Sequence, residues 1–168
     1  KIKIIQSILL IDSILVFLMI SRVILAFKRN SELISTSQLA IVDDLTNLPN
    51  RRKFISDLST TQGGFLLLLD LDGFKIVNDQ YGHEVGNRLL QMVSIRFRKV
   101  MPHDALLARL GGDEFAVLVR DEYETAHELA MALRATLSYP FNIEGNQIRI
   151  DVSIGCVAND GRNDLMSH

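Results

Sequence analysis

The stretch "LARLGGDEFAVLV", residues 107–119, decides the fold that the rest of the sequence must accommodate. Two apolar runs flank Gly111 and Gly112, and a Gly-Gly pair can adopt the positive φ angles of a tight hairpin turn. The stretch therefore predicts two antiparallel strands, "ALLARL" and "FAVLV". Two adjacent carboxylates, Asp113 and Glu114, follow the glycines. A turn does not need them and their charges repel each other, so they indicate a functional site.

The apolar pattern on either side of this hairpin predicts an α/β domain of the α+β type. A short, fully buried strand is predicted at residues 65–71, helices at residues 86–100 and 123–137, and a last strand at residues 148–158. Pro49 ends one helix or begins another. The predicted order is helix, strand, helix, strand, strand, helix, strand. The predicted core positions of the first long helix are Leu89, Leu90, Val93, Ile95 and Phe97.

Composition limits the class of protein. The chain has 168 residues, 48% of them apolar, and a formal net charge of -2. This is enough for one domain with a hydrophobic core and an additional segment. A charge so close to zero does not indicate a nucleic acid as a partner. Cys156 is the only cysteine, so an intrachain disulfide is impossible, and its apolar surroundings predict a buried, unreactive thiol.

Residues 1–28 are predicted to form a transmembrane helix. The apolar part, residues 4–27, is about 24 residues long, which at roughly 1.5 Å per residue spans a bilayer core. Lys28 and Arg29 follow at once, so the positive-inside rule places the C-terminal side in the cytoplasm. Asp12 is expected to face other helices rather than lipid. The alternative interpretation is a dimeric signalling helix in water.

Residues 29–50 are mostly polar, with Ile34, Ile41 and Leu48 at seven-residue intervals. This spacing favours a helical signalling linker between the membrane segment and the globular domain. The globular domain is predicted over residues 43–168.

Acids cluster at the ends of two predicted strands. Asp70 and Asp72 close the buried strand, and Asp113 and Glu114 open the second arm of the hairpin. If the two strands are neighbours in one sheet, Asp70 and Asp113 approach each other at one edge. Two or three carboxylates suit Mg²⁺, with water and phosphate oxygens completing its coordination, and the charge of the ion would remove the repulsion.

The segment between these acids carries residues suited to a nucleoside triphosphate. Lys75 can neutralise a phosphate, Gly73 lets backbone N–H groups approach one, and Asn78 and Asn87 can pair with a base edge. The GxxxxGK[ST] phosphate loop is absent from the sequence. Taken singly, these are solvated acids, a glycine turn, a surface lysine and, for His83, a hydrogen-bonded structural histidine. Their combination favours a functional site.

Four blocks of the sequence resemble, in order and spacing, the GGDEF-domain diguanylate cyclases. They are "DDLTNLPNRRKF", "DLDGFKIVNDQYGHEVGN", "ARLGGDEFAVLV" and "VSIGCVA", and the match runs over residues 43–158. The resemblance implies a fold like the palm of class III nucleotide cyclases, with a ferredoxin-like central sheet flanked by helices. It implies the condensation of two GTP into cyclic di-GMP, a bacterial second messenger, with release of two pyrophosphates.

The same resemblance implies a homodimer in which each domain holds one GTP and each 3′-hydroxyl attacks the other nucleotide's α-phosphate. With the membrane segment, it implies a signalling protein of the bacterial inner membrane whose GGDEF domain lies in the cytoplasm. Asp70, Asp113 and the backbone carbonyl of Leu71 would hold Mg²⁺ or Mn²⁺, and Asp113 or Glu114 would help to deprotonate the 3′-hydroxyl. The implied phosphate-binding groups are Lys75 and the backbone around Gly73 and Phe74. The implied guanine-binding residues are Asn78 and Asn87, with His83 nearby.

Three departures from the family pattern matter. The family's "HxxGD" reads "HEVGN" here, so Asn87 replaces an aspartate; because an amide pairs better with adenine, we expect weakened or relaxed purine selectivity. The family's inhibitory RxxD site reads "PHDA" at residues 102–105, so we expect no product inhibition there. The family's closing helix, with a phosphate-binding lysine, and its final strand would lie beyond His168, so we expect an incomplete domain.

Two alternatives stay open. One is a non-catalytic GGDEF module that binds a nucleotide or a partner and regulates another domain; Asn87 favours it, whereas the intact acids and Lys75 favour catalysis. The other is a ferredoxin-like interaction domain without a nucleotide site, which would leave the acids unexplained.

Overall fold

The computed structural model describes residues 40–159, nearly all of them in a compact unit that begins at Ile41. The helices are α1 (Arg51–Thr60), α2 (Phe74–Tyr81), α3 (His83–Val100) and α4 (Tyr123–Ala135). The strands are β1 (Phe65–Asp72), β2 (Leu106–Gly111), β3 (Glu114–Val119), β4 (Phe141–Ile143), β5 (Asn146–Ile148) and β6 (Asp151–Ala158).

Four strands form an antiparallel sheet in the order β2-β3-β1-β6, and β4 and β5 form a separate hairpin. Helices connect β1 to β2 and β3 to the later strands, which is the β-α-β-β-α-β arrangement of ferredoxin-like folds. The predicted α+β class and the β2–β3 hairpin are confirmed. Because β1 lies beside β3, the end of β1 is adjacent to the turn of the hairpin.

The two faces of the sheet are covered unequally. One face packs against α3 and α4 in the main core, where Phe97 and Phe115 meet edge to face with ring centroids 5.5 Å apart. The other face packs against α1 in a smaller cluster around Phe54 and Leu66. On this second face Leu68 is still 47% exposed, so α1 leaves part of the sheet open beside the hairpin.

The first long helix differs from its prediction in extent and in face. α3 begins at His83 rather than Gly86, and the separate eight-residue helix α2 precedes it. Gly82, with a φ of 86°, separates the two helices. Ile95, predicted to be in the core, is 55% exposed, because it falls outside the stripe of three- and four-residue spacings that faces the sheet. The predicted core residues of α3 that are buried are Leu89, Leu90, Val93 and Phe97.

The predicted order of elements lacks the hairpin of β4 and β5. Glu144 and Gly145 join the two strands with φ angles of 52° and 81°, which is typical of a two-residue type I′ turn. Each strand has only three residues, too few for a periodic pattern. The Glu-Gly pair was the one available signal.

The helical linker is a wrong prediction for its described part, residues 40–50. These residues contain no helix, and the chain turns back so that Val42 bridges Pro49 and the Asp43 N–H donates to the Leu48 carbonyl at 2.8 Å. Leu48 is buried because it joins the main core, not because it continues a heptad.

The predicted membrane segment, residues 4–27, and the rest of the linker, residues 29–39, lie outside the described residues. From residue 40 to residue 159, no helix has the length and the apolar character needed to cross a bilayer.

The prediction of a buried thiol is wrong, since Cys156 is exposed. The last strand begins at Asp151 rather than Ile148, and among the described strands it pairs with β1 alone. Its apolar run therefore lies at a sheet edge instead of in the middle of the core. Partial burial raises the pKa of the Cys156 thiol, which disfavours the reactive thiolate.

Candidate active site

The turn of the β2–β3 hairpin sets the position of the two adjacent acids. Gly111 pairs with Glu114, so the central residues of the turn are Gly112 and Asp113, not the two glycines as predicted. Gly112 has a φ of 53°, a left-handed conformation that glycine adopts without strain. A register shift leaves Leu110 as an extra residue just before the turn. Such bulges bend a strand and re-aim the residues next to it.

Asp70 lies directly opposite Glu114 in the ladder between β1 and β3. Residues opposite each other in an antiparallel pair share one face of the sheet, with Cβ atoms about 4.5–5.5 Å apart. The two exposed carboxylates are therefore neighbours. Asp113, the expected neighbour of Asp70, lies one residue earlier, in the turn, and is half-buried. The difference follows from the turn being centred one residue later than predicted.

The other two residues at the end of β1 have different surroundings. The Asp72 carboxylate accepts from the Ser153 hydroxyl at 2.8 and 3.1 Å, on the side of β6. The ladder with β3 ends at Asp70, so Asp72 is not part of the acid pair. The side chain of Leu71 is buried, so only its backbone carbonyl could reach a metal ion.

An open groove of about 560 Å³ lies beside the acid pair on the α1 side of the sheet. Asp70 and Glu114 line it together with the exposed Leu68 and with Arg51 at the start of α1. Within residues 40–159 Arg51 forms no ion pair. Arg51 was not among the predicted site residues, although the "NRR" after Pro49 was a signal. A second cavity, of about 700 Å³, lies between α4 and β6. Neither Asp70 nor Glu114 lines it, so we do not take it as the candidate active site although it is larger than the groove.

A glycine begins the helix that follows β1. Gly73 has a φ of 82° and precedes the first turn of α2; a Cβ on it would meet only Ile76 Cδ1, at 4.0 Å. The Ile76 N–H of that turn donates to the Gly73 carbonyl at 3.0 Å. The N–H groups before it, those of Phe74 and Lys75, have no partner within the helix and are open to an anion. Lys75 is exposed in the same turn, whereas the side chain of Phe74 is buried, so Phe74 could offer only its backbone.

The predicted base-binding residues lie where α2 meets α3. A Cβ on Gly86 would overlap Asn78 Oδ1 and would lie 3.3 Å from Phe74 Cζ. Glycine at this position therefore lets the half-buried Asn78 lie against the start of α3. His83 and Asn87 are exposed and four residues apart on α3, so they share one face of that helix.

The donor set fits Mg²⁺ when a phosphate ligand completes it. Asp70, Asp113 and Glu114 offer the carboxylate oxygens that this ion prefers. In the part of the chain that the structure describes, no three His, Cys, Asp or Glu side chains converge closely enough to hold a metal by themselves. Nucleotide sites typically bind Mg²⁺ through one or two carboxylates together with substrate phosphates and water, and the acid pair matches that arrangement.

The residues at the inhibitory-site positions, 102–105, lie in the loop between α3 and β2. His103 and Asp104 are exposed there. Neither an arginine nor an aspartate occupies its family position in this loop. The absence of product inhibition through this site stays a prediction.

The fold and the acid pair define a class: antiparallel α+β domains of ferredoxin-like topology that carry carboxylates at the turn of a central hairpin. A family model described as the diguanylate cyclase GGDEF domain matches residues 40–168. The chain belongs to the GGDEF-domain family, as its sequence motifs predicted.

Relatives with different printed activities match this chain. It is 40% identical over 152 residues to the bifunctional diguanylate cyclase/cyclic di-GMP phosphodiesterase MucR of Pseudomonas aeruginosa, covering 83% of this chain and 22% of that protein. It is 38% identical over 125 residues to the cyclic di-GMP phosphodiesterase PdeR of Escherichia coli, covering 70% of this chain and 19% of that protein. The chain thus spans about a fifth of the length of these curated relatives.

Solved GGDEF domains have the same fold. The GGDEF domain of TpbB (YfiN) from Pseudomonas aeruginosa aligns with a TM-score of 0.66 at 33% identity, over 70% of this chain and 74% of that one. The GGDEF domain of DgcB from Caulobacter crescentus, solved in complex with c-di-GMP, aligns with a TM-score of 0.67 at 28% identity, over 71% and 77%.

Proposed function

We propose that this GGDEF domain is a diguanylate cyclase, which condenses two GTP into cyclic di-GMP and releases two pyrophosphates. The observation that carries the proposal is the placement of Asp70 opposite Glu114, with Asp113 in the adjoining turn. Two exposed carboxylates side by side repel each other unless a cation lies between them. The family match adds that relatives of this chain include proteins named diguanylate cyclases.

The acids would carry the chemistry. Asp70, Asp113 and the Leu71 carbonyl would hold Mg²⁺ or Mn²⁺, which when bound polarises the α-phosphate and lowers the pKa of the attacking hydroxyl. Glu114, or Asp113, would accept the proton of the 3′-hydroxyl. Each 3′-oxygen then forms a bond to the other nucleotide's α-phosphorus as the bond to pyrophosphate breaks.

The rest of the site would position the substrate. Lys75 and the N–H groups after Gly73 would bind the phosphates, and Asn78, His83 and Asn87 would contact the base. Since each hydroxyl must reach the other nucleotide, two domains would have to face each other, so the active species is a homodimer. Alignment of two bound nucleotides is a large part of the rate enhancement in such a reaction.

The test is to incubate the protein with Mg²⁺ and GTP and to identify the products by mass. Glu114→Gln should lower kcat by about 10²–10⁴-fold, the usual contribution of a general base. Glu128→Gln is the matched control, because Glu128 is exposed on α4 and does not line the groove. Binding of GTP without turnover by the wild-type dimer would refute the cyclase proposal.

The identity of the base depends on Asn87. Replacement of a carboxylate that accepts from guanine removes a charge-assisted hydrogen bond, a loss of roughly 1.5–3 kcal/mol or about 10–150-fold in affinity. Asn87 is exposed, so water competes and the lower end of that range applies. We propose relaxed purine selectivity, tested by assaying GTP and ATP singly and together. Strict use of GTP, with affinity unchanged in Asn87→Asp, would contradict it.

The second candidate function is a non-catalytic module that binds a nucleotide or a partner. Asn87 favours it, and a relative of this chain, PdeR, is named only as a phosphodiesterase. The product assay separates the two functions, because a regulatory module would bind GTP and leave it intact. For either function we propose that residues 4–27 tether the protein to the bacterial inner membrane with the GGDEF domain in the cytoplasm. Recovery of the intact chain in a soluble fraction after cell lysis would contradict the tether.

A further inference from the structure

The guanidinium of Arg109 connects the β2–β3 hairpin to the first turn of the domain, residues 43–48. Arg109 lies on β2, and its Nε and Nη2 donate to the Gly112 carbonyl at 3.0 and 2.7 Å. Its Nη1 donates to both carboxylate oxygens of Asp43, at 3.0 and 2.9 Å. The Arg109 side chain is only 11% exposed and that of Asp43 only 20%. Shielding from water makes such charged, forked hydrogen bonds stronger than those of an exposed pair.

Asp43 is itself held in place. It accepts hydrogen bonds from the Thr46 N–H at 2.9 Å and the Thr46 hydroxyl at 2.6 Å. Burial alone would raise the pKa of Asp43, but the bonds from Thr46 and Arg109 outweigh it and the pKa is lowered. The backbone closes around the same turn, since the Asp43 N–H donates to Leu48 and the Arg109 N–H donates to Pro49. Asp43 is therefore a fixed anchor for the guanidinium.

The anchored atom, the Gly112 carbonyl, belongs to the peptide bond that leads into Asp113. Because a peptide unit is planar, the direction of this carbonyl fixes the plane that carries the Asp113 nitrogen and Cα. Gly112 has no side chain to restrict its backbone, and within residues 40–159 its carbonyl accepts its hydrogen bonds from Arg109. A turn so rich in glycine would otherwise sample several orientations.

We propose that Asp43 and Arg109 are positioning residues for the acids of the hairpin, acting on Asp113 and Glu114 through the Gly112 carbonyl. The proposal rests on the proposed function, in that the acids need a defined position to hold a cation and accept a proton. Neither Asp43 nor Arg109 lines the groove of the acid pair, so their effect is indirect.

The experiment compares two matched ion pairs in the intact chain. Arg109→Lys keeps the charge but removes the fork that reaches both acceptors, and Thr46→Val removes one support of Asp43 with little change of volume. The control is Arg134→Lys, because Arg134 also makes a forked pair, with Asp151 at 3.1 and 2.8 Å, but is 65% exposed. Hydrogen–deuterium exchange without nucleotide and the Mg²⁺ concentration for half-maximal turnover are both measured.

We expect amide exchange in Gly111 and Glu114, the pair that closes the turn, to become at least about tenfold faster in Arg109→Lys, the factor set by loss of a charged hydrogen bond. We expect a smaller increase in Thr46→Val and none in Arg134→Lys. The half-saturating Mg²⁺ concentration should rise by about the same factor as the exchange rate, while exchange in the main core stays as in the wild type.

Faster exchange spread evenly over the domain would overturn the proposal, because it would mean general destabilisation. So would hairpin exchange that is equal in Arg109→Lys and Arg134→Lys. The exchange readout needs no catalysis, so its outcome decides the positioning role even where the product assay rejects the cyclase function. An active enzyme with unchanged hairpin exchange would reject the positioning role alone.

Discussion

Substitution of Gly86 by alanine tests the packing where α2 meets α3, at the proposed base-binding residues. An added Cβ would overlap Asn78 Oδ1 and lie 3.3 Å from Phe74 Cζ, and Phe74 is only 8% exposed. Overpacking of this kind costs about 1–3 kcal/mol. Alanine gains about 1 kcal/mol over glycine inside a helix. The added Cβ would also lie 3.1 Å from Asn78 Cγ and close to the buried Phe74 ring, so the cost should be near its upper end. We therefore expect Gly86→Ala to lower the free energy of unfolding by about 1–2 kcal/mol.

The same geometry predicts that the effect of Gly86→Ala depends on Asn78. In an Asn78→Ala background the overlapping amide is gone and only the 3.3 Å contact with Phe74 Cζ remains. Gly86→Ala should then be close to neutral, because this contact offsets the gain of up to about 1 kcal/mol from helix propensity. The coupling free energy between the two positions should therefore exceed about 1 kcal/mol, as for residues in direct contact. Chemical unfolding of the two single variants and the double variant measures it.

Gly155→Ala is the control. A Cβ on Gly155 meets nothing within 4 Å and its φ is not in the left-handed region, so the free energy of unfolding should not change by more than about 0.5 kcal/mol. Additive effects of Gly86→Ala and Asn78→Ala would refute the contact on which the prediction depends. Because Asn78 is expected to touch the base, Gly86→Ala should also raise the KM for GTP more than it lowers kcat.

Further predictions concern stability and the thiol. Phe54→Ala should lower the free energy of unfolding by about 3–5 kcal/mol, the usual cost of truncating a buried aromatic, because Phe54 is 0% exposed in the cluster under α1. Ile55→Ala is the control and should lower the free energy of unfolding far less, because Ile55 is 40% exposed. The lowered pKa of Asp43 means that its stabilisation is complete above the ordinary carboxyl pKa of about 4 and is lost as the pH falls below it. The difference in free energy of unfolding between wild type and Asp43→Asn, measured in urea, should accordingly become smaller below pH about 4. A difference that grows as the pH falls would contradict the lowered pKa of Asp43. Cys156 is accessible but its pKa is raised, so alkylation by iodoacetamide should be slow at pH 7 and should accelerate about tenfold per pH unit until the thiol ionises.

The hairpin shows how far the sequence alone reaches and where it stops. Alternating and continuous apolar runs are local, so "ARLGGDEFAVLV" was enough to place β2, β3 and the turn between them. The centre of the turn was predicted one residue too early, because Gly-Gly and Gly-Asp are both acceptable turn pairs. Only the register Gly111 with Glu114 distinguishes them, and register depends on packing against β1.

Ile95, Cys156 and residues 40–50 were predicted wrongly for a related reason. Each had an apolar pattern that fits a core helix, a buried strand or a heptad seam. Which side of an element faces the core is a property of its neighbours, and α3, β6 and the first turn have neighbours on fewer sides than their apolar patterns suggested.

The sequence by itself determined the family, the α+β class and the residue types that a magnesium–nucleotide site requires, because motifs and short-range periodicity are carried by consecutive residues. Only the tertiary structure decided that Glu114, rather than Asp113, lies opposite Asp70, that Gly86 lets Asn78 lie against α3, and that Arg109 connects Asp43 to the turn between β2 and β3. These contacts join residues that are far apart in the chain. Strand register, the crossing of two helices and the reach of a guanidinium are set by the packing of the whole domain.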